Sequence, residues 1–380
     1  MVSTFAAVHQ KEDHPLLPGP LASELPPGEF PFAWIVGPYG LQHVVGLTRE
    51  QLSHHIFISG LTGTGKTTLI KLLITLAQVR TWIISFEHGE FLDLLPQFPD
   101  LLLVTPREFK RNPLQPLPGE LPVATSARVK NALRGTFLRD GACNMAGDFI
   151  MSLYKAKGVL DGGMDYPTIG DLYAAVKATG FRPLSRHFQY AEGLTNRLQN
   201  LQTYLGESYD CTEGYDLGEL LHRSVLFDLS GLPFDVAFFC VNELLAAVAD
   251  YRTLYPQQAV LSNLIVLDEV HQLLAESPDR NDLAEPQLCQ VMRKFRRRGI
   301  GMVLATQTVE GVPSAVIGNA GTRVAFRLVS GGCVSAVARS MSLDREARTL
   351  LTELPARRAV MHYAGFPRPF VIEVPHVAMG

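Results

Sequence analysis

The chain has 380 residues and is 47% hydrophobic, enough apolar material for one large core or two modest ones. A net charge of −3 with 19% charged residues excludes a molecule that is basic all over, so a grip on a polyanion has to come from a local patch or from several copies gathered in a ring. The five cysteines (Cys143, Cys211, Cys240, Cys289 and Cys333) are scattered without a C-x-x-C pair, which argues against a disulfide framework or a zinc site and fits a reducing compartment.

Residues 1–32 are hydrophilic and proline-rich (Pro15, Pro18, Pro20, Pro26, Pro27, Pro31) and read as a flexible arm. The start, MVSTFAAVHQKEDH, has no basic segment followed by an apolar core, so no signal peptide is expected. Residues 33–50 predict a short β-hairpin with its turn around Gly37–Gly40. Short apolar runs then alternate with helical patterns. IFIS (56–59), TWIISF (81–86), LLLVT (101–105), SVLFDL (224–229), NLIVLDE (263–269), GMVLAT (301–306) and TRVAFRL (322–328) are the strand candidates. Each is apolar on both faces, as central strands of a covered parallel sheet are, so an α/β architecture is expected. Residues 125–222 carry helical patterns and no strong strand, and read as a mostly helical insertion that divides a core of 51–124 and 223–380. The longest apolar helix candidate, TLIKLLITLAQV, carries Lys71 and falls short of the roughly 18–20 residues of a membrane span. A soluble cytoplasmic protein without membrane association is expected.

Gly60-Leu61-Thr62-Gly63-Thr64-Gly65-Lys66-Thr67 matches G-x-x-x-x-G-K-[ST], with a strand pattern before it and a helix pattern after it. The glycines let the backbone curl so that successive N–H groups face phosphate oxygens, and the helix that follows adds its positive end. Candidate nucleotide contacts are Gly60, Thr62, Gly63, Thr64, Gly65, Lys66, Thr67 and Thr68, with Lys66 reaching the β- and γ-phosphates of ATP and the Thr67 hydroxyl holding Mg²⁺. The run LIVLDE (264–269) is an apolar strand ending in two acids, where such a sheet places a metal-shell carboxylate and a base. Asp268 is assigned to Mg²⁺ and Glu269 to general base, while His271 reads as an ordinary or supporting histidine.

Between Arg293 and Arg298 five of six residues are cationic and Phe295 alone interrupts. The block is open to three readings: a solvated helix face, an arginine finger at a neighbouring γ-phosphate, or contacts to DNA phosphates. Gln307, at the end of the strand that follows, is placed to orient the lytic water.

The order of P-loop, LIVLDE, arginine block, GIGMVLATQT and IGNAGTRVAFRL resembles the HerA/FtsK superfamily of ring-forming DNA motors, in particular HerA-like proteins and conjugative coupling proteins. VGLTREQLSHHIFISGLTGTGKT, FEHGEF (with Glu87 where an Asp is more usual) and the closing LLTELPARRAVMHYAGFPRPFVIEVP extend the resemblance over roughly residues 40–375. It implies a RecA-like P-loop NTPase fold with a helical insertion and a short N-terminal β element. It also implies a homo-oligomeric ring, a hexamer, acting on double-stranded DNA with a partner nuclease or effector. By resemblance Arg296 is the trans-acting arginine, Arg293 a weaker candidate, and Arg327 faces a neighbouring nucleotide. Some 55 residues precede the P-loop, whereas HerA proteins carry an N-terminal barrel of about a hundred, so the docking surface such a barrel provides for a nuclease is expected to be reduced to the 33–49 hairpin. The rival expectations are an ATPase that gates an effector in a defence or repair complex without translocating, a conjugative coupling-type DNA pump, and a nucleotide-controlled binding module in which Glu269 is dispensable. A small-molecule kinase leaves the ATQ and FRL segments without a role.

Overall fold

The computed structural model describes residues 17, 19–25, 28–37, 40–136, 138–274, 286–364 and 366–376. All seven apolar runs form strands. They are β3 (Ile56–Ser59), β4 (Arg80–Ser85), β5 (Leu101–Val104), β6 (Ser224–Asp228), β7 (Asn263–Leu267), β8 (Ile300–Thr306) and β9 (Thr322–Ala325). Every residue of β3, β7 and β8 is buried, because alternate side chains enter cores on opposite faces of the sheet. Ile56, Ile58, Leu264 and Val266 pack on one face, and Phe57, Ile265 and Leu267 on the other.

The hairpin is present as β1 (Phe30–Gly37) and β2 (Gly40–Leu47), its turn lying outside the described residues. The strand begins at Phe30, three residues earlier than the pattern suggests, because Phe30 and Phe32 are buried on the same face. Most of the proline-rich arm lies outside the described residues. Two strands have no counterpart in the pattern-based reading, β10 (Arg358–Tyr363) and β11 (Phe366–Glu373). Pro367 and Pro369 argue against an interior strand, and a bulge opposite Met361–Tyr363 accommodates them.

The eleven strands form one sheet in the order β2-β1-β11-β10-β9-β3-β8-β7-β4-β6-β5. From β9 to β5 neighbours are parallel, and β10, β11, β1 and β2 add an antiparallel flank.

The helices follow in chain order. Helix α1 (Arg49–Ser53) starts at a capping box on Thr48 and leads into β3, and α2 (Lys66–Ala77) leaves the P-loop and buries Leu69, Ile70, Leu73 and Ile74 against one face. Between β5 and β6 the chain forms α3 (Pro122–Arg134), α4 (Asp140–Ala156), α5 (Ile169–Ala178), α6 (Arg186–Leu205) and α7 (Leu217–Leu220), with no strand among the described residues there. Helix α8 (Phe234–Leu254) covers the other face, α9 (Gln287–Arg296) carries the basic block, and α10 (Ser314–Asn319), α11 (Gly331–Met341) and α12 (Arg345–Glu353) surround β9. None of the helices is long and apolar enough to cross a membrane, among the described residues.

The helical segment is held to α8 by buried charge. Arg111 donates to both Glu243 carboxylate oxygens at 3.0 and 2.7 Å, and Arg128 adds a bond at 3.2 Å while also pairing with Glu120. Burial alone would raise the Glu243 carboxyl, and the two guanidiniums outweigh it and hold it below the usual range.

At the start of β3, His55 ties three elements together. It sits at φ +68° and is fully buried. Its Nδ1 accepts the Met302 N–H of β8 at 3.1 Å, which leaves Nε2–H to donate to the Met292 carbonyl of α9 at 2.8 Å. Burial, with the charges of Arg296 and His54, pushes its pKa down to about 4 against the Met292 hydrogen bond. The unfolded chain therefore takes up a proton near pH 6.5 that the folded chain refuses, and the stability is full above that value and lost as pH falls toward about 4. Across this window the wild type should lose about 3 kcal/mol more unfolding free energy than His55→Asn, whose side chain tolerates the positive φ. Denaturant titrations at several pH values check this, and parallel curves for the two proteins would remove His55 as the titrating group.

Candidate nucleotide site

The P-loop turns sharply at the end of β3 because its glycines sit where side chains cannot. Gly60 has φ +155°, and a Cβ there would stand 2.6 Å from Phe326 Cβ. Gly65, at φ +121°, would put one 3.0 Å from the Phe326 ring. Phe326 follows β9 and is fully buried, so the FRL segment forms the floor of the loop. The loop is also bonded to three neighbours. Gly60 N–H donates to the Thr306 carbonyl (3.3 Å), Leu61 N–H to the Arg327 carbonyl (3.0 Å), and Arg357 N–H to the Thr64 carbonyl (2.8 Å). Thr62 and Gly63 form the exposed crest, and Thr67 and Thr68 lie in the first turn of α2. Lys66 Nζ folds onto the Leu61 carbonyl at 3.3 Å. Burial lowers its pKa, opposed by the negative charges of Glu269, Asp268, Glu90 and Glu87.

The acids assigned from sequence converge on this loop. Asp268 and Glu269 follow β7, two strands from β3. Asp268 is buried, and its pKa rises to about 8, first through burial and then through a hydrogen bond and charge from Glu90 and the charge of Glu269. Glu269 adopts a left-handed conformation (φ +47°, ψ +47°) that turns its carboxylate toward β8. There Oε2 accepts the Gln307 N–H at 3.1 Å and lies 3.1 Å from His271 Nδ1. Burial would raise its pKa, and these hydrogen bonds together with Lys66 hold it below the ordinary value, so the carboxylate stays charged. His271 also stands 3.1 Å from the Thr306 hydroxyl, which makes it a brace for Glu269. The Gln307 side-chain oxygen accepts from the Thr62 hydroxyl at 2.7 Å, so this residue spans the loop crest and the carboxylate.

Sequence reasoning missed Glu90. The FEHGEF segment drew attention to Glu87, which is exposed, whereas Glu90 accepts the Thr67 hydroxyl and is hydrogen-bonded to Asp268. Gly89 (φ +86°) turns the chain back, and Lys71 of α2 holds the return through Asp93 at 2.7 Å and through the Phe91 ring. Thr67, Glu90 and Asp268 thus offer hard oxygen donors side by side, the set that a magnesium ion takes. An acid three residues from the expected one, after a glycine, was the signal available.

The basic block of α9 lies elsewhere. Arg296 ends α9 just before β8, and with Arg293, Arg297, His54 and Asn319 it lines a cleft of about 440 Å³. Neither Arg296 nor Arg297 has a carboxylate partner among the described residues. The seven residues of β8 separate Arg296 from Gln307 by roughly 20 Å, so Arg296 stands away from its own chain's P-loop. Arg327 has an exposed side chain and sits beside its own P-loop through its carbonyl.

No protein-family profile matches the sequence, and no curated protein matches it. Solved structures do. VirB4 of Thermoanaerobacter pseudethanolicus superposes with a TM-score of 0.70 at 16% identity, over 93% of this chain and 98% of that one. The plasmid coupling protein TrwB in complex with ADP and Mg²⁺ gives 0.66 at 14% identity, over 88% and 89%. The unbound monoclinic form of the bacterial conjugative coupling protein TrwB gives 0.64 at 12%, over 90% and 88%. The chain therefore has the α/β P-loop fold of VirB4 and the conjugative coupling protein TrwB, over nearly its whole length.

Proposed function

We propose that the chain is a Mg²⁺-dependent ATP hydrolase that assembles as a ring, a hexamer by resemblance, and moves double-stranded DNA. The observation that carries the reading is the convergence of Thr67, Glu90, Asp268, Glu269 and Gln307 on one P-loop. The fold shared with TrwB, solved in complex with ADP and Mg²⁺, supports the ligand, and DNA as the substrate rests on the sequence resemblance to the HerA/FtsK DNA motors. A partner nuclease or other effector would act on the DNA so presented.

In this reading the P-loop amides cradle the phosphates and Lys66 leaves the Leu61 carbonyl for the β- and γ-oxygens. Thr67 and Asp268, with Glu90 beside them, would hold Mg²⁺, and the bound ion would supply positive charge for the negative charge that builds on the phosphates. Glu269, kept ionised by His271, Gln307 N–H and Lys66, takes the proton of the attacking water. The Gln307 amide exchanges Thr62 for that water and orients it. Arg296 completes the site of the neighbouring subunit, because it cannot reach its own. Phosphate contacts rather than base edges would dominate the grip on DNA.

The test is steady-state ATP turnover with and without linear double-stranded DNA, with mass by light scattering on the same sample. Ring-sized mass with DNA-stimulated turnover is expected. A ring that hydrolyses ATP and ignores DNA would overturn translocation in favour of effector gating. Lys66→Ala should lose nucleotide binding, and Glu269→Gln should bind ATP while turnover falls by about 10²–10⁴; undiminished turnover would remove Glu269 as the base. Mixing Arg296→Ala with Glu269→Gln subunits should restore part of the turnover that each lacks alone, since some interfaces then pair an intact P-loop with an intact Arg296. No recovery at ring-forming concentrations would count against the shared site.

A further inference from the structure

Arg357 is a non-glycine residue in the left-handed region (φ +69°) between α12 and β10. Arginine is strained there where glycine is not. Its backbone is engaged on both sides, the N–H donating to the Thr64 carbonyl at 2.8 Å and the carbonyl accepting Val374 N–H at 2.9 Å. Glycine would make both bonds. The side chain therefore needs a separate explanation. A Cβ on Gly65 would lie 3.3 Å from Arg357 Cα, so the guanidinium stem starts directly against the P-loop where α2 begins. The adjacent Arg358 is bonded to Glu373 at 2.9 Å, whereas Arg357, half-buried as a residue, has no side-chain hydrogen-bond or ion-pair partner among the described residues.

Sheet order sets the direction in which a nucleotide would lie. Glu90 follows β4, Asp268 and Glu269 follow β7, and Gln307 follows β8, all on one side of β3. Arg357 precedes β10, on the other side. A nucleotide whose terminal phosphate meets the carboxylates extends its nucleoside end over β9 and β10. A planar, always-charged guanidinium suits the face of a base there.

Resting on the nucleotide reading above, we infer that Arg357 stacks on the base of the nucleotide bound by its own chain, in cis, and so supplies affinity for the nucleoside end of the ligand. The test compares wild type with Arg357→Gly, which relieves the left-handed strain and keeps both backbone hydrogen bonds. Binding of Mg·ADP is measured by calorimetry and binding of inorganic tripolyphosphate, which has no base, by competition. Thermal unfolding is followed alongside and should be unchanged or shifted upward. The expected result is a roughly 5- to 30-fold loss of ADP affinity, the range of a desolvated cation–π contact, with tripolyphosphate affinity unchanged. Equal ADP affinity in the two proteins would overturn the inference alone, and so would an equal loss for both ligands, which would place Arg357 on the phosphates. A wild type that binds neither ligand would overturn the nucleotide reading and this inference with it.

Discussion

The structure depends on the closure of one loop over one buried ring. A Cβ on Gly60 would collide with Phe326 and one on Gly65 would crowd its ring, and the loop between them curls while the Leu61 N–H bonds to the Arg327 carbonyl and the Thr64 N–H to the Leu61 carbonyl. Phe326 can lie there because β9 pairs in parallel with β3 and delivers it directly beneath the turn, with its N–H bonded to the Ser59 carbonyl at 2.8 Å. On the other side β8 pairs with β3 in register, Ser59 opposite Thr306, and brings Gln307 to the crest. The placement of β3 between β8 and β9 is thus the condition for the cradle, its floor and its polar wall together.

What could be read from sequence follows from what is local. A parallel strand covered on both faces must be a short apolar run, and all seven such runs are strands. The P-loop is contiguous, and the pair Asp268–Glu269 ends an apolar strand, so both could be found without knowing the fold. Glu90 could not be weighed in the same way, because its role arises from a turn at Gly89 and an ion pair between Lys71 and Asp93 that bring it to Thr67. Strand β11 was hidden by Pro367 and Pro369, which are admissible only because a bulge takes up the extra residues. The Arg111–Glu243–Arg128 cluster was equally hidden: a charge shows that it is buried only once its partners, more than a hundred residues away, are known.

The electrostatics of the site separate its two adjacent acids. Asp268 is buried against Glu90, and burial first, then the hydrogen bond and charge of Glu90, hold its carboxyl in the protonated form up to about pH 8, a proton that a divalent cation would displace. Glu269, one residue later, turns left-handed out of that pair and into three favourable partners: an imidazole, a backbone N–H and the charge of Lys66. Consecutive residues thereby acquire opposite characters, one fitted to a metal and one to accepting a proton. The backbone strain at Glu269 is what divides them.

The same strands that build the site also relate it to the arginines. β3 and β8 are paired along the whole length of β3 and entirely buried, so they behave as one stiff plate with the P-loop and Gln307 at one end. His55 bonds the other end of that plate to α9 through the Met292 carbonyl and to β8 through Met302 N–H. The cleft of Arg296 and Arg297 is therefore fixed to the far end of the element that holds the nucleotide. In the proposed ring, a shift of β3 and β8 on the loss of a γ-phosphate would carry the arginine cleft with it, and that cleft would face the next subunit's nucleotide. A chain of nearly neutral net charge would in this way pass a signal between sites through packing, with no requirement for long-range attraction.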